Sequence, residues 1–240
     1  MALLWGVQRR PSRGPKPRFT VTGITAAAIE LADAEGLDAV SMRRVAERLG
    51  TTAMALYSYV PGKAELLDLM VDRVCGELAA RPYAADGWRA RLEQVARENR
   101  ALYLRHPWLL QIARSRPVLG PGGMAKWEHE LAAVADLGLT EIEMDLVVAL
   151  VLDYVHGAVR VAVEMAQAVR RTGRTERQWW EAHAPLPAQV YDPERFPLVT
   201  RVRAATGAAY QAAADPDRAF EFGLARLLDG IGAFLAARPG

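Results

Sequence analysis

Residues 41–63 read SMRRVAERLGTTAMALYSYVPGK, and the spacing of apolar and small residues within them decides the fold. Val45, Ala46 and Leu49 make one buried face of a short helix. Gly50 ends it, a Thr pair reopens the chain, and Leu56 and Val60 give a second helix its own buried face. Two helices joined by so few residues cross steeply, so the residue where their backbones nearly touch has to be small, as Ala46 is. Gly50 suits a turn in which the backbone becomes left-handed, at no steric cost to glycine. Thr51 or Thr52 then caps the second helix. This is the pattern of a helix-turn-helix, whose second helix enters a DNA major groove.

The flanking sequence extends the pattern in both directions. Residues 1–18 are a Pro- and Arg-rich arm with Arg9, Arg10, Arg13, Lys16 and Arg18 and no acidic residue, and its prolines keep it from packing as a helix. Thr22 to Glu35 reads as a first helix with Ile24, Ala27, Ala28 and Leu31 on one face. Gly36 is its C-cap, with Leu37 folding back in the apolar contact that accompanies such caps. Beyond the motif, Pro61-Gly62 makes a turn, and a long helix runs from Lys63 to Ala80. Its apolar positions Leu66, Leu67, Met70, Val71, Val74 and Leu78 cover more than one stripe, so it joins a DNA-reading head to a body.

From residue 86 onward every strong periodicity is helical and no segment alternates as a strand would, so the chain is all-α. Helices are expected from Trp88 to His106-Pro107, from Trp108 to Ser115, from Met124 to Leu137, from a Thr140 cap to about Arg171, and from Asp215-Pro216 to about Arg238. The last carries the stripe Phe220, Leu224, Leu227, Ile231 and Phe234. Residues 116–123, RPVLGPGG, break the chain, and RTERQWWEAHAPLPAQVYDPERFP reads as irregular or short-helical. The expected division is an arm over 1–18, a helix-turn-helix domain over 19–66, and a helical effector-binding and dimerisation domain over 67–240.

Composition limits the function classes. In 240 residues, 51% apolar, there is room for a small domain and a larger one, each with a core. The net charge of +2 hides an asymmetry: residues 1–63 carry 9 Lys/Arg against 5 Asp/Glu, so the excess of positive charge sits at the helix-turn-helix end. A single cysteine, Cys75, excludes an intrachain disulfide and a cysteine-based metal site, and a cytoplasmic location follows most simply. The start MALLWGV has its positive charges after the apolar run, the reverse of a signal peptide. The longest apolar run, Leu146 to Leu152, is stopped by Asp153 well short of the ~20 residues of a membrane span, so no membrane partner is expected.

Within the motif, Thr52, Ala53 and Met54 lie on the first turn of the second helix, where Thr can hydrogen-bond a base or phosphate and Ala and Met can contact a thymine methyl. Arg43 reaches toward a guanine edge or a phosphate, or else makes a surface salt bridge. Tyr57 and Tyr59 carry hydroxyls suited to phosphate oxygens, although either ring can instead be core. Lys63 sits at a helix start whose amides face outward.

At these residues the chain resembles the TetR family of bacterial transcription regulators. The likeness runs over about Thr20 to Asp68, through AEGL, SMRRVAERLG and ALYSYVPGKAELLD. It implies a three-helix DNA-binding head, a helical ligand-binding body and a homodimer built from the last two long helices. Carried over by position, it makes Arg43, Thr52, Ala53 and Met54 base-side candidates, and Ser41, Tyr57, Tyr59 and Lys63 phosphate candidates, with Thr51 beside them. The body resembles the tetracycline-repressor type only in helix order and length, so ligand identity does not carry over. The histidine spacing of that protein's metal-assisted site is absent.

Enzyme signatures are missing: no GxSxG, no phosphate-binding Gly-rich loop and no HExxH. Asp153-x-x-His156 is half of a carboxylate-bridged metal site and occurs once where two copies are needed. His106, His129 and His183 read as surface or capping residues. Asn99 is different, because it falls on the Leu92, Val95, Leu102 stripe, where a buried amide requires a partner. Asp153, His156, Arg160 and Glu164 form a polar line that is either a solvent-facing strip or one wall of a pocket, with Trp108 and Trp127 adding aromatic surface. The ligand-contact candidates are Asn99, Trp108, Trp127 and His156. Together these features describe a homodimeric regulator that binds a double-stranded DNA operator, is released by a small-molecule effector, and needs no cofactor or metal. The alternatives are a constitutive or architectural DNA-binding regulator whose body only dimerises, and a helical-bundle enzyme.

Overall fold

The computed structural model describes residues 2–6, 18–79, 82–112, 118–183 and 192–238. Arm residues Arg9, Arg10, Arg13 and Lys16, the end of the helix expected to reach Ser115, and residues 184–191 of the Pro-broken segment lie outside them. Among the described residues the chain is all-α: α1 Val21–Glu35, α2 Met42–Arg48, α3 Ala53–Tyr57, α4 Lys63–Cys75, α5 Trp88–Arg105, α6 Pro121–Ala132, α7 Glu141–Thr172, α8 Glu176–His183, α9 Pro197–Tyr210 and α10 Pro216–Ala236, with 3₁₀ turns at Leu37–Ala39 and Pro107–Gln111.

Local chemistry sets the first boundaries. Thr20, Ser41 and Thr52 are the N-caps of α1, α2 and α3, each with its side-chain oxygen accepting an amide of the first turn. Thr52 is therefore the capping member of the Thr pair. Gly50, at φ 65°, takes the left-handed backbone between α2 and α3. Gly36, at φ 88°, closes α1 by donating its amide to Ala32 O, and Leu37 packs on the core beneath.

Several elements depart from the sequence expectation; the short helix expected from Trp108 is a 3₁₀ turn over Pro107–Gln111, and the one expected to end at Leu137 ends at Ala132. The helix expected to reach Ala80 stops at Cys75, and residues 76–79 continue as turns that still bury Leu78. The helix expected at Met124 begins three residues earlier, at Pro121, because proline is tolerated where its missing N–H has no helical partner. A further helix, α9, was not expected. Its large apolar residues, Leu198, Val199 and Val202, are confined to its first half and exposed, and none of its residues is buried.

By compactness the chain divides into two units, Met1–His156 with Ile231–Gly240, and Gly157–Gly230. In the first, one core runs from Ile24 on α1 through Val45, Ala46, Leu56 and Met70 to Leu102, Trp108 and Leu109, so the helix-turn-helix rests on the same apolar mass as α4 and the end of α5. The N-terminal turn joins it, with Leu3 and Leu4 against the core and Trp5 Nε1 donating to Leu119 O. The second unit holds α8 and α9, where Gly207 lies against the Trp180 ring.

Along α7, Val147, Val148, Val151, Val155, Val159 and Val163 are buried, while Ile142, Leu146, Leu150 and Val161 are exposed. This helix contains an 18-residue window of mean hydropathy 1.8, so by length and composition it reaches what a membrane span needs, against the expectation from uninterrupted runs. Its apolar residues are shared between a core face and a second face. On α10 the buried stripe is Phe220, Leu224, Leu228 and Ile231. Phe220, Leu224 and Ile231 are buried as expected, while Leu228 takes the place of Leu227, which is half-buried, and Phe234 is exposed.

Candidate nucleic-acid interface

Two ion pairs fix α2 against α1. Arg44 forks onto both oxygens of Glu35 at 2.9 Å each, and Arg48 Nη2 reaches Glu30 at 3.0 Å. With Val45 and Ala46 fully buried beneath, α3 is held at a set angle although it is only five residues long.

What α3 shows to solvent is consistent with a groove-facing surface. Met54 is 78% exposed and Tyr57 45% exposed, while Leu56 on the opposite face is buried. Thr52 is exposed, but its hydroxyl is committed to the Ala55 amide at 3.4 Å, a long and weak cap. Ala53 and Thr51 are half-buried, and Thr51 donates its amide to Ala46 O. Ser41 Oγ accepts from the Arg44 amide at 3.2 Å. Arg43 pairs with Glu47 at 2.8 Å with 85% of its side chain in solvent, a pair too exposed to hold it strongly. Tyr59 differs from Tyr57: it is half-buried, with its ring at right angles to Phe19, 6.3 Å between centroids. Lys63 is exposed at the first turn of α4, where Gly62 leaves the helix without a side-chain cap.

The ligand-contact candidates do not converge in the same way. Asn99 is buried, and Nδ2 donates to Val95 O at 3.0 Å and to Glu130 Oε1 at 2.8 Å; since both are acceptors, the amide orientation is fixed and Oδ1 is left buried without a partner. Glu130, 2% exposed, is also ion-paired to Lys126. Trp108 is fully buried but engaged elsewhere, with Nε1 donating to Asp33 Oδ1 at 2.8 Å. Trp127 is 43% exposed. His156 is half-buried, edge-on to Tyr103 at 5.6 Å. Of the polar line on α7, Asp153, Arg160 and Glu164 are exposed, which favours the solvent strip for those three.

Of the histidines read as surface or capping residues, His106 is the C-cap of α5, but neither it nor His129 is a surface residue. His106 is 5% exposed, with Nδ1 2.7 Å from Asp33 Oδ1, and His129 is stacked on Tyr83 and lies 3.3 Å from Glu98. Burial beside Glu98 and Glu130 pushes the Tyr83 phenol up to about 12, so its hydroxyl stays protonated and donates to His129 O. Sequence reasoning also missed Glu130 and Asp72, whose partners lie 31 and 51 positions away.

Comparison with known proteins agrees with this geometry. Residues 24–70 match the model of bacterial regulatory proteins of the tetR family, and residues 81–235 match the tetracyclin repressor-like C-terminal domain. The HTH-type transcriptional repressor DrrR1 of Streptomyces coeruleorubidus is 46% identical over 241 residues, covering 100% of this chain and 87% of that protein. Apo ActR from Streptomyces coelicolor superposes with a TM-score of 0.71 at 28% identity, over 93% of this chain and 99% of that one. ActR in complex with actinorhodin gives a TM-score of 0.71 at 27% identity, over 90% and 96% of the two chains.

Proposed function

The chain belongs to the tetR family of bacterial regulatory proteins, and from that premise we propose that it is a homodimeric cytoplasmic repressor, released from a near-palindromic operator by a small molecule. It is a ligand-responsive DNA-binding transcription regulator and not an enzyme. The head corresponds to residues 19–66 and the effector and dimerisation body to 67–240.

Met54 is the observation that carries the reading. A methionine 78% exposed on the first turn of a short helix gains nothing from its own fold, and an apolar tip at that place suits a thymine methyl in a major groove. Arg43, Thr52 and Ala53 flank it as base-side residues. Ser41, Thr51, Tyr57, Tyr59 and Lys63 serve the phosphates, with Tyr59 braced by Phe19 so that only its hydroxyl needs to reach out.

The effector side rests on Asn99. A buried amide oxygen without a donor costs about 1–3 kcal/mol, and a ligand N–H or O–H offsets that cost, so an effector carrying a donor is favoured. His156 and Tyr103 add polar and aromatic surface on α7 and α5, and Trp127 an exposed ring on α6. ActR, with the same fold, is held in complex with actinorhodin. Dimerisation uses the exposed face of α7, where Ile142, Leu146 and Leu150 recur at helical spacing.

The test is retardation of DNA from upstream of the protein's own gene, with half-site centres a whole number of helical turns apart, followed by titration with actinorhodin-like compounds. Nanomolar, sequence-dependent retardation lost on addition of a compound is the expected result. Retardation no stronger than for unrelated DNA overturns the reading.

A further inference from the structure

Asp33 lies in the last turn of α1, and its Oδ1 accepts two hydrogen bonds from the end of α5 and the turn after it: from His106 Nδ1 at 2.7 Å and from Trp108 Nε1 at 2.8 Å. A carboxylate only accepts, so the imidazole donates from Nδ1. Its Nε2 then faces Glu77 Oε1 at 3.5 Å, on the turn that follows α4, and Arg105 holds the other oxygen of Glu77 at 3.2 Å. His106 is 5% exposed and Trp108 is fully buried. Three separate stretches, α1 of the head, the end of α4 and the end of α5, thus meet at one ring.

Apolar residues of the shared core, among them Ile24, Leu31, Leu102 and Leu109, fill space without fixing register. Two donors converging on one carboxylate oxygen do fix it, because a small slide of α5 against α1 breaks both bonds, and both donors are shielded from water. The lever arm is also present. Asn99, with its partnerless Oδ1, lies on α5 seven residues before His106, the non-helical C-cap that ends the helix, so a single helix links the two about two turns, or about 10 Å, apart.

We infer that Asp33, His106 and Trp108 form the latch through which the helical body sets the pose of the DNA-reading head, an inference that rests on the operator-binding function proposed above. They are positioning residues: none touches DNA, and each acts by holding α1 in one place relative to α5. A ligand that shifts α5 by engaging Asn99 changes the head only while the latch is closed, which is the two-state element that such coupling requires.

The test uses the full chain carrying Asp33→Asn, His106→Asn, the double variant, and Trp108→Phe, which keeps the ring and removes only its N–H. Amide hydrogen exchange without DNA is read first. Asp33→Asn should speed exchange about tenfold at the end of α5, the factor that ~1.4 kcal/mol of opening free energy gives, and His106→Asn should do the same at the end of α1. The double variant should be no worse than either single one. Additive effects, each confined to the substituted helix, overturn the latch.

Operators whose half-sites are moved one base pair closer or farther are read second. Wild type should discriminate against them, and latch variants should lose several-fold of that discrimination while retaining affinity for an isolated half-site. Equal weakening at every spacing marks the pair as structural only and also overturns the inference. Failure of wild type to bind any promoter DNA, with coupled exchange intact, counts against the operator-binding reading while leaving the mechanical link standing.

Discussion

Gly122, in the first turn of α6, lies so close to Asp72 on α4 that a Cβ on the glycine would sit 2.0 Å from the Asp72 carbonyl oxygen. The two helices cross there almost backbone to backbone, with Gly76 adding a second small residue. The Asp72 carboxylate then turns across the start of α6 and accepts the Gly123 amide at 2.8 Å. An anion at a helix N-terminus answers both an orphan donor and the dipole. Gly122→Ala should therefore force α4 from α6, lowering stability by about 2 kcal/mol or more in urea denaturation. An unchanged midpoint would show that the crossing relaxes freely.

That crossing also marks where sequence reading stops. The head was legible because its signals are local: Thr20, Ser41 and Thr52 cap amides three residues away, Gly50 turns on its own dihedral, and the faces of α1 to α3 repeat within a few turns. Asn99 was legible as an inward amide for the same reason, but its partner Glu130 was not. An acidic residue on an amphipathic helix reads as solvated unless the helix packed against it is known. His106 and Asp72 were hidden in the same way. On α7 periodicity shows two apolar faces without saying which is core, and it is the Val151 and Val155 face that is buried within this chain.

Glu143 supplies a pH dependence. Its carboxylate accepts from the Thr140 amide and hydroxyl in a capping box and is paired with Arg238. The Thr140 amide, then Arg238 and the Thr140 hydroxyl, lower it from 4.5 to about 2. A group depressed on folding contributes stability that is present above its unfolded value and lost as pH falls through the folded one. Wild type should exceed Glu143→Gln by a constant margin above about pH 5, and that margin should shrink between about 4.5 and 2. Urea midpoints at several pH values measure it, and a margin that grows on acidification contradicts the capping role.

Met54 and Lys63 should fail in different ways. Lys63, exposed at the first turn of α4, offers charge to a phosphate without reading sequence, so Lys63→Ala should weaken all operators alike and flatten the salt dependence by about one counterion per half-site. Met54→Ala should leave the salt slope unchanged and alter preference at one base pair, by about 1–3 kcal/mol if a thymine methyl is the contact. Binding titrations across salt and across single-base operator variants separate the two. Identical profiles for both variants would remove the assignment of roles.

The two faces of α7 give the sharpest test of assembly, because residues five apart on one helix should behave oppositely. Val151 is fully buried, so Val151→Asp places an unpaired charge in the core, costs several kcal/mol, and should abolish cooperative melting. Leu146 is 60% exposed, between Ile142 at 74% and Leu150 at 49%, and a charge there meets water in the single chain. Leu146→Asp should keep the helical signal and melting of the monomer while shifting sedimentation at micromolar concentration from dimer to monomer. That shift should also reduce operator affinity, since a single head engages one half-site only. A Leu146→Asp protein that still sediments as a dimer would move the interface off this face, and the exposed Phe222 and Phe234 of α10 would be the next surface to substitute.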